Sequence, residues 1–159
     1  MSKIKLAIVD DNTFLARAIK EKLGDFEDLD IKYMVYNGSE LLSKLEKNHN
    51  LDLVLMDIEM PVLDGIETVR IVKQKYPHIK VLMLTVFDND ENIFNAIQAG
   101  ADGYLLKEIE GQKLYNAISE TLGGGAAMSP SIAVKTLKLL RYPEKQESLS
   151  VQEEDILLS

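Results

Sequence analysis

The sequence predicts an α/β fold built on a doubly wound parallel sheet, and two observations carry this prediction. First, four short runs are apolar without alternation, as in strands that are buried on both faces. They are residues Ile4 to Val9, Leu53 to Met56, Val81 to Leu84 and Tyr104 to Leu106. Second, segments whose apolar residues recur with helical spacing separate these runs. Strands and helices in alternation imply parallel strands joined by right-handed crossovers, with helices on both faces of the sheet.

The remaining elements follow in order along the chain. A further strand is predicted at residues Ile31 to Tyr36, which completes a five-stranded sheet. Helices are predicted at Thr13 to Leu23, Ser39 to Leu45, Asp64 to Tyr76, Asn89 to Ala99 and Glu110 to Leu122. Four of them are followed by residues that end a helix, namely Gly24, Pro77, Gly100 and Gly123 to Gly125. The repeated β-α unit predicts a flavodoxin-like sheet of strand order 2-1-3-4-5, with ligand chemistry at the carboxyl ends of the strands.

The composition excludes several functional classes. The 159 residues include 18 basic and 26 acidic side chains, a formal charge of −8, and residues 1–123 hold 14 of the basic and 21 of the acidic ones. Nucleic acid is bound by clustered Lys and Arg, so these residues are not expected to bind DNA by themselves. The absence of cysteine excludes a disulfide scaffold, a thiolate zinc site and a cysteine nucleophile. No run approaches the roughly 18 apolar residues of a membrane span, and no signal peptide precedes the first strand, so we expect a cytoplasmic protein.

Polar side chains follow four of the predicted strands at the point where each strand ends. They are Asp10 and Asp11, then Asp57, Thr85 and Lys107. The carboxyl ends of parallel strands meet at one edge of a sheet, so three carboxylates should share one cleft there. Like charges at close range need a cation or raised pKa values. Oxygen ligands without nearby Cys or His favour Mg²⁺.

We assign Asp11 as the direct magnesium ligand, completed by Asp57 and a main-chain carbonyl near Glu59, with Asp10 acting through water. A carboxylate that lies close to such an ion, to a hydroxyl and to a lysine is suited to phosphoryl transfer. Asp57 would be the nucleophile and form an aspartyl phosphate. Lys107 and the Thr85 hydroxyl would each contact a phosphoryl oxygen.

Each of these residues has an ordinary interpretation when taken alone. An Asp-Asp pair after a strand is usually a helix cap and its neighbour, and Asp57 could be a turn residue. A lysine after a strand is usually a solvent-exposed residue at the strand end. Joint placement at four strand ends is far more specific and favours the functional interpretation. His49 and His78 are predicted to be solvated loop residues.

Several motifs together resemble the receiver domain of response regulators in two-component signalling, over residues 1 to about 122. They are Val9-Asp10-Asp11, Leu55-Met56-Asp57-Ile58-Glu59-Met60-Pro61, Asp64-Gly65, Leu84-Thr85 and the run from Ala99 to Lys107. The resemblance implies phosphorylation of Asp57 by a sensor histidine kinase, with magnesium held at Asp10, Asp11 and Asp57. It also implies a switch in which Thr85 moves toward the phosphoryl group and the ring of Tyr104 turns inward.

One departure from the common receiver sequence indicates a particular subfamily. Many receivers have proline after the lysine, whereas this chain has Glu108, which is similar to the NarL/FixJ (LuxR-type) subfamily. Glu59 and Phe87 lie two residues past Asp57 and Thr85, where they are expected to tune dephosphorylation.

The chain beyond the receiver match suggests a second functional part. We predict a receiver at 1–123 and a hinge, helix and linker at 124–148, with Ser129-Pro130 starting the helix. Residues 149–159 are similar to the first helix of a LuxR-type helix-turn-helix, and the recognition helix that would enter the major groove is not present.

The sequence therefore predicts a phospho-acceptor regulator with a sensor kinase as partner and no membrane contact. It is expected to form a homodimer on phosphorylation and to reach DNA only through the missing C-terminal domain. Two alternatives stay open at this point. One is a stand-alone receiver that acts by protein contact. The other is a phosphatase with an aspartyl nucleophile, in which Glu59 would be the second acid.

Overall fold

A computed structural model describes residues 3–60 and 63–141 of the chain, which form five strands and six helices. The strands are β1 (Ile4–Val9), β2 (Leu29–Val35), β3 (Leu53–Met56), β4 (Lys80–Thr85) and β5 (Gly103–Leu106). The helices are α1 (Thr13–Leu23), α2 (Gly38–Lys47), α3 (Gly65–Lys75), α4 (Asp90–Ala99), α5 (Gly111–Leu122) and α6 (Pro130–Arg141). The predicted alternation of strand and helix is confirmed.

All strands are parallel, in the order β2-β1-β3-β4-β5, so the predicted sheet topology is confirmed. Val9 at the end of β1 lies opposite Met56 at the end of β3, and Thr85 at the end of β4 lies opposite Leu106 at the end of β5. This register brings the residues that follow these strands to one edge of the sheet.

Two apolar layers cover the faces of the sheet. Alternate strand residues point to opposite faces of the sheet. Because both faces are covered, every residue of β3 is buried. One layer packs side chains of the sheet against α2, α3 and α4, and the other packs them against α1 and α5. The predicted continuous apolar runs are therefore the central strands, and burial on both faces holds their carboxyl ends in place.

Side-chain caps explain where most of the helices begin. Asn12, Asn37, Asp64 and Asn89 each accept a hydrogen bond from the main-chain N–H three residues later. The cap at Asn37 starts α2 at Gly38, and the helix continues to Lys47, so it is longer at both ends than the predicted Ser39 to Leu45. The strand predicted at Ile31 to Tyr36 is displaced toward the N-terminus, because main-chain pairing with β1 begins at Leu29 and ends at Val35.

The segment after α5 lies along the outer edge of β5 instead of leaving the sheet. Tyr104 N–H donates to Ala127 O at 2.9 Å, and Ser129 N–H donates to Tyr104 O at 3.1 Å. α6 then packs on α4, with Ile132 buried in the same layer as α2, α3 and α4. The sequence predicted the start of this helix at Ser129-Pro130 but not its docking.

The described part of the chain contains no helix long and apolar enough to cross a membrane. The predicted linker over residues 142–148 and the helix fragment at 149–159 lie outside the described residues.

Candidate functional site

Three aspartates meet at the carboxyl ends of β1 and β3, as the sequence predicts. One carboxylate oxygen of each of Asp10, Asp11 and Asp57 lies within 4.8 Å of the others. Asp10 and Asp57 are buried, with 1% and 5% exposure, whereas Asp11 is exposed. Asp10 Oδ1 accepts the N–H of Asn12 at 2.9 Å, and Asp57 Oδ1 accepts the N–H of Ile58 at 2.9 Å.

Lys107 brings the single cation of this cluster from the end of β5. Its Nζ lies 2.7 Å from Asp10 Oδ2 and 3.5 Å from Asp57 Oδ2, and its side chain is 9% exposed. This short ion pair is the contact that balances the buried Asp10 Oδ2. Lys107 N–H donates to Thr85 O at 3.0 Å, which extends the pairing of β4 and β5 into the site.

The charge of the cleft is unbalanced, and this affects the acidity of Asp57. Burial raises the pKa of the Asp57 carboxyl above its ordinary value; Lys107 lowers it and Asp10 raises it. Three carboxylates face one ammonium group. A hard divalent cation bound by carboxylate oxygens would relieve this excess. The three carboxylates could therefore hold a divalent metal ion.

Thr85 and Tyr104 lie beside the acidic cluster and are joined through Phe87. Thr85 is fully buried, and its hydroxyl accepts the N–H of Phe87 at 3.2 Å. Tyr104 is 1% exposed, with its ring inside the protein and its hydroxyl donating to Phe87 O. Burial, with smaller effects of Asp88 and Asp57, raises the pKa of the Tyr104 hydroxyl further above neutral pH. The two predicted switch residues thus bind the same residue, Thr85 at the N–H of Phe87 and Tyr104 at its carbonyl oxygen.

Some predicted site residues lie outside the acidic cluster. The Glu59 side chain is exposed and does not belong to the group of three aspartates. The role of its main-chain carbonyl as a ligand stays a prediction, as do the roles of Glu59 and of the half-buried Phe87 in dephosphorylation. His49 and His78 are exposed, as predicted, and His49 stacks on Tyr76 with 5.1 Å between ring centroids.

The structure adds residues that sequence reasoning missed. Gly65 lies against the site, because a Cβ there would be 1.8 Å from the main-chain oxygen of Asp57. Lys22 of α1 contacts the loop that carries Lys107, and Lys135 of α6 contacts Asp88. Only the Asp64-Gly65 pair carried any sequence signal, as part of the family resemblance. The two lysines look like ordinary surface charges along the chain.

The five-stranded parallel sheet and the three aspartates at its carboxyl edge together define a receiver domain. Residues 6–119 match the family of the response regulator receiver domain, and the chain belongs to that family. Glu108 and the C-terminal segment predicted similarity to the NarL/FixJ (LuxR-type) subfamily. The relatives and solved structures described next agree with that prediction.

Two relatives and two solved structures illustrate the match. The chain is 31% identical to the transcriptional regulatory protein DegU of Brevibacillus brevis, over 94% of this chain and 64% of that protein. It is 34% identical to the response regulator protein VraR of Staphylococcus aureus (strain Mu3 / ATCC 700698), over 98% of this chain and 74% of that protein. A LuxR-family two-component response regulator from Aurantimonas sp. SI85-9A1 has a TM-score of 0.79 at 26% identity, covering 86% of this chain and 97% of that one.

A second solved structure supports the fold alone. The isolated REC domain of RcsB from Salmonella enterica serovar Typhimurium, determined in the presence of phosphomimetic BeF3-, has a TM-score of 0.76 at 20% identity. The likeness covers 84% of this chain and 99% of that domain.

Proposed function

We propose that this receiver accepts a phosphoryl group on Asp57 from a sensor histidine kinase and thereby switches a C-terminal DNA-binding effector. The observation that carries the proposal is the convergence of Asp57 with Asp10, Asp11 and Lys107 at the ends of three strands. A signalling regulator of this kind assists only its own phosphorylation and dephosphorylation.

In phosphoryl transfer the protein mainly positions the reacting groups and stabilises charge. An oxygen of the ionised Asp57 carboxylate attacks the phosphorus of a phosphohistidine, a P–O bond forms, and the P–N bond breaks. The histidine nitrogen leaves with the electron pair and takes up a proton. The raised pKa of Asp57 makes its carboxylate more basic, and so a better nucleophile, provided that it is ionised. Lys107 and the Thr85 hydroxyl supply a positive charge and a donor for two phosphoryl oxygens.

Mg²⁺ is the proposed cofactor, held by Asp10, Asp11 and Asp57 and by the main-chain carbonyl of Glu59. When bound, it neutralises charge on the transferred group. Asp11, the exposed member of the cluster, is the proposed direct ligand. Asp10 is tied to Lys107 and is proposed to act through water.

The proposed output route runs from Thr85 to the segment after α5. Tyr104 bonds to Phe87 O on one side and to Ala127 and Ser129 on the other. Lys135 of α6 donates to Asp88 O at 2.7 Å. A displacement of Thr85 toward a phosphoryl group would therefore be passed to residues 127–135. The proposed division of the chain is a receiver at 1–123, a hinge, helix and linker at 124–148, and an effector fragment at 149–159.

The test is treatment with acetyl phosphate and Mg²⁺, followed by mass spectrometry of the intact protein and its peptides. We expect one phosphoryl group on wild type, at Asp57, and none on Asp57→Asn. Beryllofluoride with Mg²⁺ should shift wild type toward a dimer in light scattering and leave Asp57→Asn unchanged. Identical responses of the two proteins would exclude Asp57 as the acceptor. Repeated turnover of a small phosphomonoester would contradict the regulator assignment and favour a phosphatase.

A further inference from the structure

Lys22 lies in the last turn of α1, and its ammonium group reaches the loop that carries Lys107. The Nζ atom of Lys22 donates to the main-chain oxygens of Lys107 at 3.1 Å and of Ile109 at 3.0 Å. These partners are 85 and 87 positions away in the chain. One side chain of α1 therefore holds two carbonyls of the β5–α5 connection.

The loop that Lys22 holds is a tight turn. Ile109 N–H donates to Leu106 O at 3.2 Å, so Lys107 and Glu108 occupy the two central positions of the turn. The Lys107 N–H is bound to Thr85 O at 3.0 Å, which fixes the entrance to the turn. Lys22 binds a carbonyl inside the turn and one just after it. Together these bonds set the main-chain orientation from which the Lys107 side chain enters the acidic cleft.

The contact made by Lys22 differs from that of an ordinary helix-terminal lysine. Such a lysine usually points to solvent or to the last carbonyls of its own helix. Lys20, in the same turn of α1, is exposed, whereas Lys22 is half-buried. No ion pair within residues 3–60 and 63–141 involves Lys22, so its donors are directed to the loop. The backbones also touch, since a Cβ on Gly111 would be 2.6 Å from Lys22 O.

The residue after Lys107 shows why the loop needs support from outside. Many receivers carry proline at this position, where the pyrrolidine ring restricts the main chain. Glu108 is exposed and imposes no such restriction, and the Lys107–Glu108 peptide is trans. The stiffness of the turn must therefore come from contacts, and Lys22 makes two of them.

We propose that Lys22 is a positioning residue for Lys107, which acts by clamping the β5–α5 turn and so aiming the Lys107 ammonium at the phosphoryl group on Asp57. The inference rests on the proposed function, in which Lys107 contacts a phosphoryl oxygen. It assigns no contact between Lys22 and the phosphoryl group itself.

The test uses Lys22→Met, which keeps the aliphatic stem and removes the donors. Beryllofluoride affinity of the Mg²⁺-loaded protein, measured by calorimetry, should fall about fivefold, as expected for the loss of hydrogen bonds that orient a charged group. Mg²⁺ affinity without beryllofluoride should stay within about twofold, because the carboxylates lie on β1 and β3 rather than on the turn. Lys22→Arg, which keeps cationic donors, should restore beryllofluoride binding. Lys20→Met is the matched control and should behave as wild type.

Each outcome has a definite meaning. An unchanged beryllofluoride affinity in Lys22→Met, or an equal loss of beryllofluoride and Mg²⁺ affinity, would overturn the positioning role. If Lys22→Met does not fold, Lys22→Gln keeps one amide donor group and should show a smaller loss of the same selective kind. Failure of the proposed function looks different, because wild type itself would then show no Asp57-dependent response to beryllofluoride.

Discussion

Ser129 is bound to the strand of Tyr104 by its main chain and by its side chain. Its N–H donates to Tyr104 O at 3.1 Å, and its hydroxyl accepts the N–H of Leu106 at 3.0 Å. The hydroxyl of a serine before Pro would ordinarily cap its own helix, but here it satisfies the edge of the sheet. The segment that leads to α6 is thereby part of the same hydrogen-bonded unit as the proposed switch residue.

Replacing Ser129 tests how strongly this unit is held. Ser129→Ala leaves the Leu106 N–H without its acceptor and should lower the free energy of unfolding by about 1–2 kcal/mol. The amide of Leu106 should also exchange faster with solvent in hydrogen-exchange measurements. Ser131→Ala, at an exposed position two residues on, is the control and should change stability by less than about 0.5 kcal/mol. Equal effects of the two variants would contradict the side-chain contribution of Ser129.

The Tyr104 hydroxyl is expected to stabilise the inward position of the ring. Tyr104→Phe loses the bond to Phe87 O and should cost about 1 kcal/mol in urea unfolding. The variant should also weaken the effect of beryllofluoride on hydrogen exchange in residues 127–135, since one connection between Phe87 and β5 is gone. Tyr36→Phe, at a surface tyrosine that is 37% exposed, is the control and should leave both measurements unchanged. If beryllofluoride changed hydrogen exchange in Tyr104→Phe as much as in wild type, the hydroxyl would not belong to the output route.

The raised pKa of Asp57 predicts the sign of a pH effect on stability without divalent ions. A folded-state pKa above the unfolded value means that the ionised carboxylate costs stability, and this cost disappears as the pH falls through the folded pKa. Asp57→Asn should therefore be more stable than wild type at neutral pH, and the difference should vanish below the ordinary pKa of about 4. Chemical unfolding of both proteins over this pH range measures it. A wild type that is more stable than Asp57→Asn at neutral pH would contradict the sign.

Asp11 offers a separate test of the metal site because its side chain is exposed. Asp11→Asn should reduce Mg²⁺ affinity at least about tenfold, or about 1.4 kcal/mol. Its metal-free stability should not fall, because one of three mutually repelling charges is removed. Asp25→Asn, an exposed aspartate outside the cluster, is the control. Titration calorimetry that gave the same affinity for both variants would exclude Asp11 as a ligand.

Gly65 is expected to be irreplaceable because it packs on the peptide of Asp57, the proposed phospho-acceptor. A Cβ at this position would be 1.8 Å from Asp57 O, and Gly65 N–H donates to Ile58 O at 2.7 Å. Gly65→Ala should cost about 2 kcal/mol or more and should weaken Mg²⁺ binding, because the end of β3 must move. Gly123→Ala would meet only ordinary contacts at 3.5 Å and should change stability by less than about 1 kcal/mol. Similar costs for the two variants would contradict the role of close packing at Gly65.

Local signals account for what could be predicted from the sequence. The buried apolar runs of β1, β3 and β4 need no partner to be recognised, since burial on both faces leaves a continuous apolar stretch. Parallel strands then require their carboxyl ends to meet, which is why Asp10, Asp57 and Lys107 could be grouped before the fold was known. The edge strand β2 was displaced in the prediction because it is only partly buried and its limits depend on pairing with β1.

Tertiary structure alone decided which surface each remaining element covers. The apolar face of α6 was visible in the sequence, but an amphipathic pattern does not say which surface it meets. α4 supplies that surface only in the folded chain. The two lysines of the last turn of α1 make the same point. Lys20 and Lys22 are the same residue type and lie in the same last turn of α1, so the sequence alone does not distinguish them. Because each residue of a helix turns the side chain by about 100°, Lys22 faces the turn that carries Lys107 and Lys20 faces solvent.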